Sequence, residues 1–386
     1  YYAEALPLWR AANDRQSEAF TLTRLGRIHK SLGDKQEAER LFEQSRLIAQ
    51  ALSLMRTAGD EIRAADAAFN LGRLYEEQGQ PQQALRQYQK SLALWRAAKD
   101  RQGEASALNS IGGLAARDGG FDQAVQLFQQ SLSLWRAAGD KRGEAVTLGN
   151  LGYVANAQGQ RRRALEFYTE SLAVWRETDD DRSVAAALND LGACYVGLGL
   201  PQQALKFYSE ALELRRSTGD KRGEAATLSG LAGAYVDSGD LRLAAEAYSH
   251  TLELRRVIGD RRGEATALGN LGFVHQALGE LNPALDFYRQ SLAIARDMGD
   301  KARLAGSLAS VGEIQLALGA RADARENLEE SVALWRQLKD RRRENSALAL
   351  LAAAYSAAGE REKALEAYAQ SLSNWRMPMP LAAMGK

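Results

Sequence analysis

A block of sequence returns at a fixed interval, and that interval restricts the chain to architectures in which like units stack and bury faces that none could bury alone. The block beginning at Asp140 has counterparts at Asp60, Asp100, Asp180, Asp220, Asp260, Asp300 and Asp340, each 40 residues after the last. An earlier copy begins at Asp14 and carries six additional residues, since 60 minus 14 is 46, and they are placed between Arg46 and Ala51. Residues 1–13 match the second half of a unit: compare Tyr2-Ala3-Glu4-Ala5-Leu6 with Tyr208-Ser209-Glu210-Ala211-Leu212. The expected organisation is a single array over 1–376, with a half unit at 1–13 and units at 14–59, 60–99, 100–139, 140–179, 180–219, 220–259, 260–299, 300–339 and 340–376, then a tail at 377–386.

With the opening Asp counted as offset 0, apolar residues fall at offsets 8, 11, 14 and 15, and again at 24, 28, 31, 32 and 35. That is helical spacing twice over, so each unit predicts a helical hairpin. The Asp is placed to cap the first helix, and Gly at offset 19 (Gly33 to Gly359 in all nine units) to end it in a left-handed turn. A second stop falls at offset 39, with Asn13, Gly59, Gly139, Gly219, Gly259 and Gly299, and with Lys99 and Lys339, which take positive φ less easily. No strand is expected.

Offset 12 is Gly in seven units and Ala at Ala232 and Ala352, although mid-helix Gly costs about 1 kcal/mol relative to Ala. Close helix contact is the expected compensation. Offset 24 is Ala in all nine units, and offset 28 carries a ring in eight (Phe42, Tyr88, Phe128, Tyr168, Tyr208, Tyr248, Tyr288, Tyr368) to fill the space beside the small residues.

Leu-Gly-x-x-Tyr followed by Ala-x-x-x-Tyr, as in Asn150-Leu151-Gly152-Tyr153 with Ala164 and Tyr168, resembles the tetratricopeptide repeat over residues 1–376. The resemblance implies an all-α fold, an α-solenoid in which stacked helical hairpins wind as a right-handed superhelix, and it implies protein binding. The 40-residue period resembles the longer variety of kinesin light chains, Pins-type polarity adaptors and bacterial regulatory arrays. The Leu-Trp-Arg-Ala string at Leu134, running to Ala145, is similar to arrays joined to CHAT peptidase domains or NTPase modules in bacteria. Departures are local: Leu328 stands in place of a ring, and Asp179-Asp180-Asp181 disturbs one turn.

Fifty Lys and Arg against 49 Asp and Glu leave a net charge of +1, without the footprint of a dedicated nucleic-acid binder. The runs Arg161-Arg162-Arg163 and Arg341-Arg342-Arg343 lie at hairpin turns among acids, as a solvated rim does. A lone Cys194 excludes a disulfide within the chain and a Cys-cluster metal site. His29, His250 and His275 are too scattered for a zinc centre. No apolar run reaches membrane-span length and residues 1–13 lack signal-peptide features, so a cytoplasmic protein is expected, with no membrane, metal or cofactor.

All six Trp (Trp9, Trp95, Trp135, Trp175, Trp335, Trp375) occupy offset 35 on the packing face and are expected in the core. Arg at offset 36 faces Glu at offset 4 of the following unit, as an ion pair across the turn. Cys194 at offset 14 and His29 and His275 at offset 15 stand where other units place core residues, so no Cys-His dyad is expected. Gly112-Gly113 lies inside a helix and forms no phosphate loop. Catalysis finds no foothold.

At about 100° per residue, offsets 6, 10, 13 and 17 point away from the core, and stacking turns that face into a groove. It carries Asn70 and Arg73, Asn150 and Tyr153, Asp190, and Asn270 and Phe273, with Asn109, Asn156, Asn189 and Gln276 at its flanks. Asn is a poor helix-interior residue, and its amide both donates and accepts, which suits the backbone of an extended peptide. The resemblance to other such repeats implies the same Asn ladder. The expected function is a scaffold that holds an extended protein or peptide segment in this groove. Its alternative is a regulatory, autoinhibitory array beside an effector domain of a longer protein, and RNA binding would require the surface charges to sort into one stripe. Two structural expectations follow: the half unit, with Pro7, frays, and the six extra residues lengthen the second helix of the first unit, bend the stack and bring Met55 to the Trp position.

Overall fold

The computed structural model describes residues 1–12, 14–53 and 58–376, and among these every regular element is an α-helix. The chain is an all-α solenoid of stacked hairpins, divided by its contacts into two compact units, Tyr1–Cys194 and Tyr195–Lys386. The first unit holds α1 (Tyr2–Ala11), α2 (Arg15–Ser31), α3 (Lys35–Ser53), α4 (Ala58–Glu77), α5 (Pro81–Ala98), α6 (Arg101–Arg117), α7 (Phe121–Ala138), α8 (Lys141–Ala157), α9 (Arg161–Trp175) and most of α10 (Asp181–Gly197). The second holds α11 (Pro201–Ser217), α12 (Lys221–Ser238), α13 (Leu241–Val257), α14 (Arg261–Ala277), α15 (Leu281–Asp297), α16 (Lys301–Ala317), α17 (Arg321–Leu338), α18 (Arg341–Ala357) and α19 (Arg361–Arg376).

Helix ends follow the punctuation residues. Asp140 and Asp260 each accept the N–H of a Gly three residues on, at 2.8 Å, and Asp14, Asp100, Asp180, Asp220, Asp300 and Asp340 cap their helices in the same way. Each offset-19 Gly takes φ between 72° and 84°. Lys99 and Lys339 also close their helices in the left-handed region, at φ 57°, where a Cβ is tolerated at a cost. Two expectations fail here. Gly59 and Asp60 are helical residues inside α4, which starts at Ala58, so neither stops nor caps a helix. The turn before the acidic run Asp179–Asp181 is disturbed as expected, with α9 ending early, at Trp175. Asn13 lies outside the described residues.

Within a hairpin the two helices close because one side of the contact has no Cβ. A Cβ built on Gly152 would sit 2.7 Å from the Tyr168 ring; Gly72 and Tyr88, Gly112 and Phe128, Gly272 and Tyr288 repeat the arrangement, and Gly312 meets Leu328 likewise. The Ala at offset 24 is buried throughout. A hydroxyl completes the closure: Ser131, Ser171, Ser291 and Ser331 donate to the carbonyls of Ala105, Ala145, Ala265 and Ala305 at 2.8–2.9 Å, all buried.

Successive hairpins meet through a second size match. Trp95 and Trp135 lie on Gly103 and Gly143 of the next hairpin, where a Cβ would come within 2.3 Å of the indole. Where Arg215 and Arg255 replace Trp, the guanidinium covers Gly223 and Gly263 and pairs with Asp220 and Asp260. Trp335 instead lies beneath Arg343, 4.9 Å from the ring centroid. Trp95, Trp135, Trp175 and Trp335 are buried, but Trp9 is 37% exposed, because the half unit before α2 buries none of its own residues. The side chain of Trp375 lies outside the described residues. The turn-spanning pairs form as expected, at 2.6–2.8 Å, for Arg10–Glu18, Arg96–Glu104, Arg136–Glu144, Arg216–Glu224, Arg256–Glu264 and Arg336–Glu344.

α3 reaches Ser53 and, at 19 residues, is the longest second helix described, and α4 begins at Ala58, ahead of Glu61. Residues 54–57, with Met55, on which the rest of the expectation turns, lie outside the described residues.

Adjacent glycines should give opposite results: Gly112→Ala, which drives a methyl into Phe128, should destabilise by about 1–3 kcal/mol, whereas Gly113→Ala, with nothing within 4 Å of its Cβ, should stabilise by about 0.5–1 kcal/mol. Urea titration of both variants decides it. A pH dependence follows from the caps. The Gly263 N–H holds the Asp260 carboxyl below its ordinary range, with Arg255 assisting, and the Arg303 N–H does so for Asp300. A folded value below the unfolded one, about 3.9, makes this stabilisation complete above roughly pH 4 and lost as pH falls through the folded value. Asp260→Ala should therefore cost about 1 kcal/mol at pH 7 and much less at pH 2, read as the gap between melting curves.

Candidate functional site

The first helices of consecutive hairpins approach one another, as α6 approaches α8 and α16 approaches α18, and their outward residues lie side by side. In the first unit a recess of about 310 Å³ opens between α8, α9 and α10, lined by Gly149, Asn150, Tyr153, Tyr168, Trp175 and Asp190 among others. Gly149 leaves one side of it open: a Cβ there would meet only Ser171 Oγ, at 3.7 Å. Tyr153 is 53% exposed at its edge. Asn150 is half-buried and donates from Nδ2 to Asn109 Oδ1 at 3.0 Å, which leaves its carbonyl oxygen and second amide hydrogen available. Burial beside the Asp190 carboxylate pushes the Tyr168 phenol up, so it stays neutral.

The second unit holds a related, larger recess of about 810 Å³ over α14, α16 and α18. Gly269, Asn270 and Phe273 repeat Gly149, Asn150 and Tyr153, and Phe273 is likewise 53% exposed. Tyr288 forms part of its wall; burial and then Glu313 push its phenol up to about 12, and it donates to Gln276 at 3.0 Å. Three arginines line this recess, Arg262, Arg303 and Arg343, against one acid, Asp300, which also caps α16.

The remaining site residues expected from sequence separate from these two groups. Asn70 is a correction. It is only 8% exposed and donates its amide to the Asp66 carbonyl of its own helix, at 2.7 Å, so it is far less open to the face than Asn150. The cause is the preceding residue: Phe69 packs on Tyr88 and Trp95, occupying the space that Gly149 and Gly269 leave open. Arg73 lines a different recess, with Glu76 and Arg117, at the turn end of its hairpin. Asn109 serves as the acceptor for Asn150 and for Thr147. Asn156 is exposed beyond the first recess, and Gln276 is engaged by Tyr288 and Glu313. Asn189 keeps a buried amide oxygen with no hydrogen-bond partner.

Sequence reasoning missed Gly149, Gly269 and the three arginines. The signal was present: Gly at offset 9 occurs in these two units alone, and Arg303 and Arg343 stand where four other units have Gly. The expected core placements of Cys194 (buried) and of His29 and His275 (half-buried) hold, with His29 beside Asp34 and His275 beside Glu280. Among the described residues no group of three or more His, Cys, Asp or Glu could hold a metal ion, and no helix is long and apolar enough to cross a membrane.

With this geometry in view, the chain matches the tetratricopeptide repeat over residues 45–97, 103–177, 164–217, 183–256 and 223–297 with one family model, and over 21–53 and 347–376 with two others; it belongs to that family. Residues 306–358 also match the family of anaphase-promoting complex subunit 5. No curated protein matches in sequence. Among solved structures it is similar to a Signal Transduction ATPase with Numerous Domains (STAND) protein with a tetratricopeptide repeat sensor from Pyrococcus horikoshii, at TM-score 0.67 and 16% identity, over 88% of this chain and 53% of that one. The apo form of RapI gives 0.67 at 14% identity over 97% and 98% of the two chains. The apo quorum sensor NprR from B. thuringiensis gives 0.62 at 16% over 96% and 100%. This chain thus spans about half the length of the STAND protein.

Two rings of one recess should behave oppositely on truncation. Tyr153→Ala should change stability by no more than about 0.5 kcal/mol, and Tyr168→Ala, buried under Gly152, should cost about 3–5 kcal/mol; thermal melts of the two variants test the placement.

Proposed function

We propose that the array is a non-catalytic, cytoplasmic interaction module that holds an extended protein or peptide segment along its first helices. One observation carries this reading: a half-buried Asn amide, a side-chain-free Gly before it and a half-exposed ring one turn after it share a recess, at Asn150 and again at Asn270. The Gly admits a backbone, the amide can both donate to it and accept from it, and the ring offers apolar area. The rings are exposed at a cost that a bound segment would offset. Long flexible side chains are absent from the lining of the first recess, so little ordering entropy opposes binding there. Arg73, Asn109, Asn156, Asn189, Asp190 and Gln276 then border the track or brace it.

A second reading draws on the fold shared with the STAND protein, whose repeats are described as a sensor: the array as the regulatory segment of a longer protein, holding an attached effector such as a peptidase or NTPase inactive until its partner binds. An open reading frame with no effector domain on either side would remove that reading and leave the adaptor.

The test uses random dodecapeptides displayed on phage and selected on the whole chain, with affinities of the synthetic winners measured by fluorescence anisotropy. Asn150→Ala and Asn270→Ala should each weaken peptides seated at that amide by about two- to tenfold, the loss of one hydrogen bond, while the melting temperature stays level or rises. Equal affinity for both variants would exclude this face as the binding surface. Early melting would instead make the amides structural.

A further inference from the structure

Rings close the joints between hairpins on the turn side of the array, and one joint lacks its ring. At offset 15 six hairpins carry His29, Tyr75, Tyr195, Tyr235, His275 and Tyr355, and the others carry Ala115, Ala155 and Gln315. Tyr75, with Leu71 and Leu74 of its own helix, packs against Ala38 and Phe42 of the preceding hairpin. Tyr235 joins Ala204, Leu205 and Tyr208 in the same way. The joint between α4–α5 and α6–α7 has the same parts, Ala84, Leu85 and Tyr88 against Ile111 and Leu114, but at the ring position it has only the methyl of Ala115. Leu74 and Leu114 share offset 14, so the residue before the ring position does not make up the volume.

A recess of about 920 Å³ opens there over Leu85, Ile111 and Leu114. Ala115 is half-buried in its wall, whereas Ala155 is covered, at 4% exposure. The volume falls within the roughly 300–1,000 Å³ of small-molecule sites. The charges around it balance: Arg73 and Arg117 stand with Glu76, Glu77 and Asp118, and Lys30 joins Glu77 at 2.8 Å. Glu76 accepts from the Tyr88 hydroxyl at 2.7 Å and from Arg117 at 2.5 Å, which leaves Asp118 as the acid that can receive an incoming donor.

The ring-bearing hairpins show what chemistry suits such a place. Tyr195 stacks on Phe207 and His275 on Phe287, with centroids 5.2 and 5.1 Å apart. An acid meets the polar atom of the ring: Tyr355 donates to Glu329 at 2.8 Å, and His275 Nδ1 lies 2.5 Å from Glu280. A cation, Lys363, lies 5.5 Å from the centroid of Tyr355. Apolar floor, cation and acid recur around Ala115 in Leu114, Arg73 and Asp118.

We infer that this recess binds a small aromatic molecule carrying an N–H or O–H donor, of the phenol or indole class, its ring on Leu85 and Leu114 and its donor on Asp118. The inference goes beyond the groove reading and does not rest on it. A bound ring joins α4–α5 to α6–α7 as Tyr75 joins the preceding pair, and a ligand held only by the folded chain raises its melting temperature.

The test titrates the whole chain with para-cresol, the tyrosine side chain as a free molecule, and with indole, para-methylanisole and cyclohexanol, read by calorimetry and thermal melts. Para-cresol and indole should bind saturably and raise the melting temperature. Para-methylanisole keeps the ring without the donor and should bind about two- to tenfold more weakly than para-cresol, a difference that Asp118→Ala should remove. Cyclohexanol keeps the donor without the ring and should bind more weakly still. Ala115→Tyr supplies the ring from within: it should melt at or above the wild type and bind para-cresol at least about tenfold more weakly. Ala115→Gln, with the residue that Gln315 places at this offset, should also weaken binding and serves if Tyr is not accommodated. If no probe binds up to its solubility, or the filling variants that fold bind para-cresol as the wild type does, the inference falls. Equal binding of cyclohexanol and para-cresol would overturn the aromatic class, and equal binding of para-methylanisole and para-cresol would overturn the role of Asp118.

Discussion

The fold depends on a missing methyl group. In five hairpins a Gly of the first helix faces a ring of the second at a distance no Cβ could occupy, and the 2.7 Å separation at Gly152 and Tyr168 shows how close the backbones come. Mid-helix Gly is costly, and burial of a large ring, near 1.5–3 kcal/mol for a phenyl-sized group, exceeds that cost. The Ser hydroxyl that reaches the Ala carbonyl requires the same close approach, as does the buried Ala at offset 24. Where Leu328 replaces the ring, it too fills the space over its Gly, Gly312.

Between hairpins the chain uses complementary sizes more freely. Trp on Gly, Arg on Gly with an Asp partner, and Trp under Arg are three answers to one volume requirement, and each keeps the neighbouring Arg–Glu pair intact where both residues occur. These pairs are half exposed on the Arg side, so they orient the joint more than they stabilise it. The same tolerance has a consequence for the face: Arg343 at offset 3 packs on Trp335 at the joint and also lines the adjoining recess, so repacking that joint changes the recess.

Much of this was legible in sequence because a repeated error is improbable: nine copies of a Gly before a turn and eight rings at one offset leave little room for another reading. The site was less legible because a period assigns positions without their neighbours. Asn70 and Asn150 share an offset, yet Phe69 fills what Gly149 leaves empty, and the amide of Asn70 turns inward to Asp66. Trp9 shares its offset with buried indoles but belongs to a half unit that buries nothing of its own. Where the period itself breaks, at the six additional residues, α4 includes Gly59 and Asp60 despite their low helix propensity, and the stop and cap that these two positions supply at most other junctions do not operate.

The hydroxyl bond that closes hairpins such as that of Ser171 spans 26 residues, the Arg–Glu pair only 8, and the Asn109–Asn150 bond 41. No closure of this kind waits for distant sequence. During synthesis a hairpin can be completed soon after its own 40 residues leave the ribosome, and its exposed edge is covered when the next first helix follows. The order of translation is then the order of assembly, and the interval during which any apolar edge stands open is the time needed to make half a repeat.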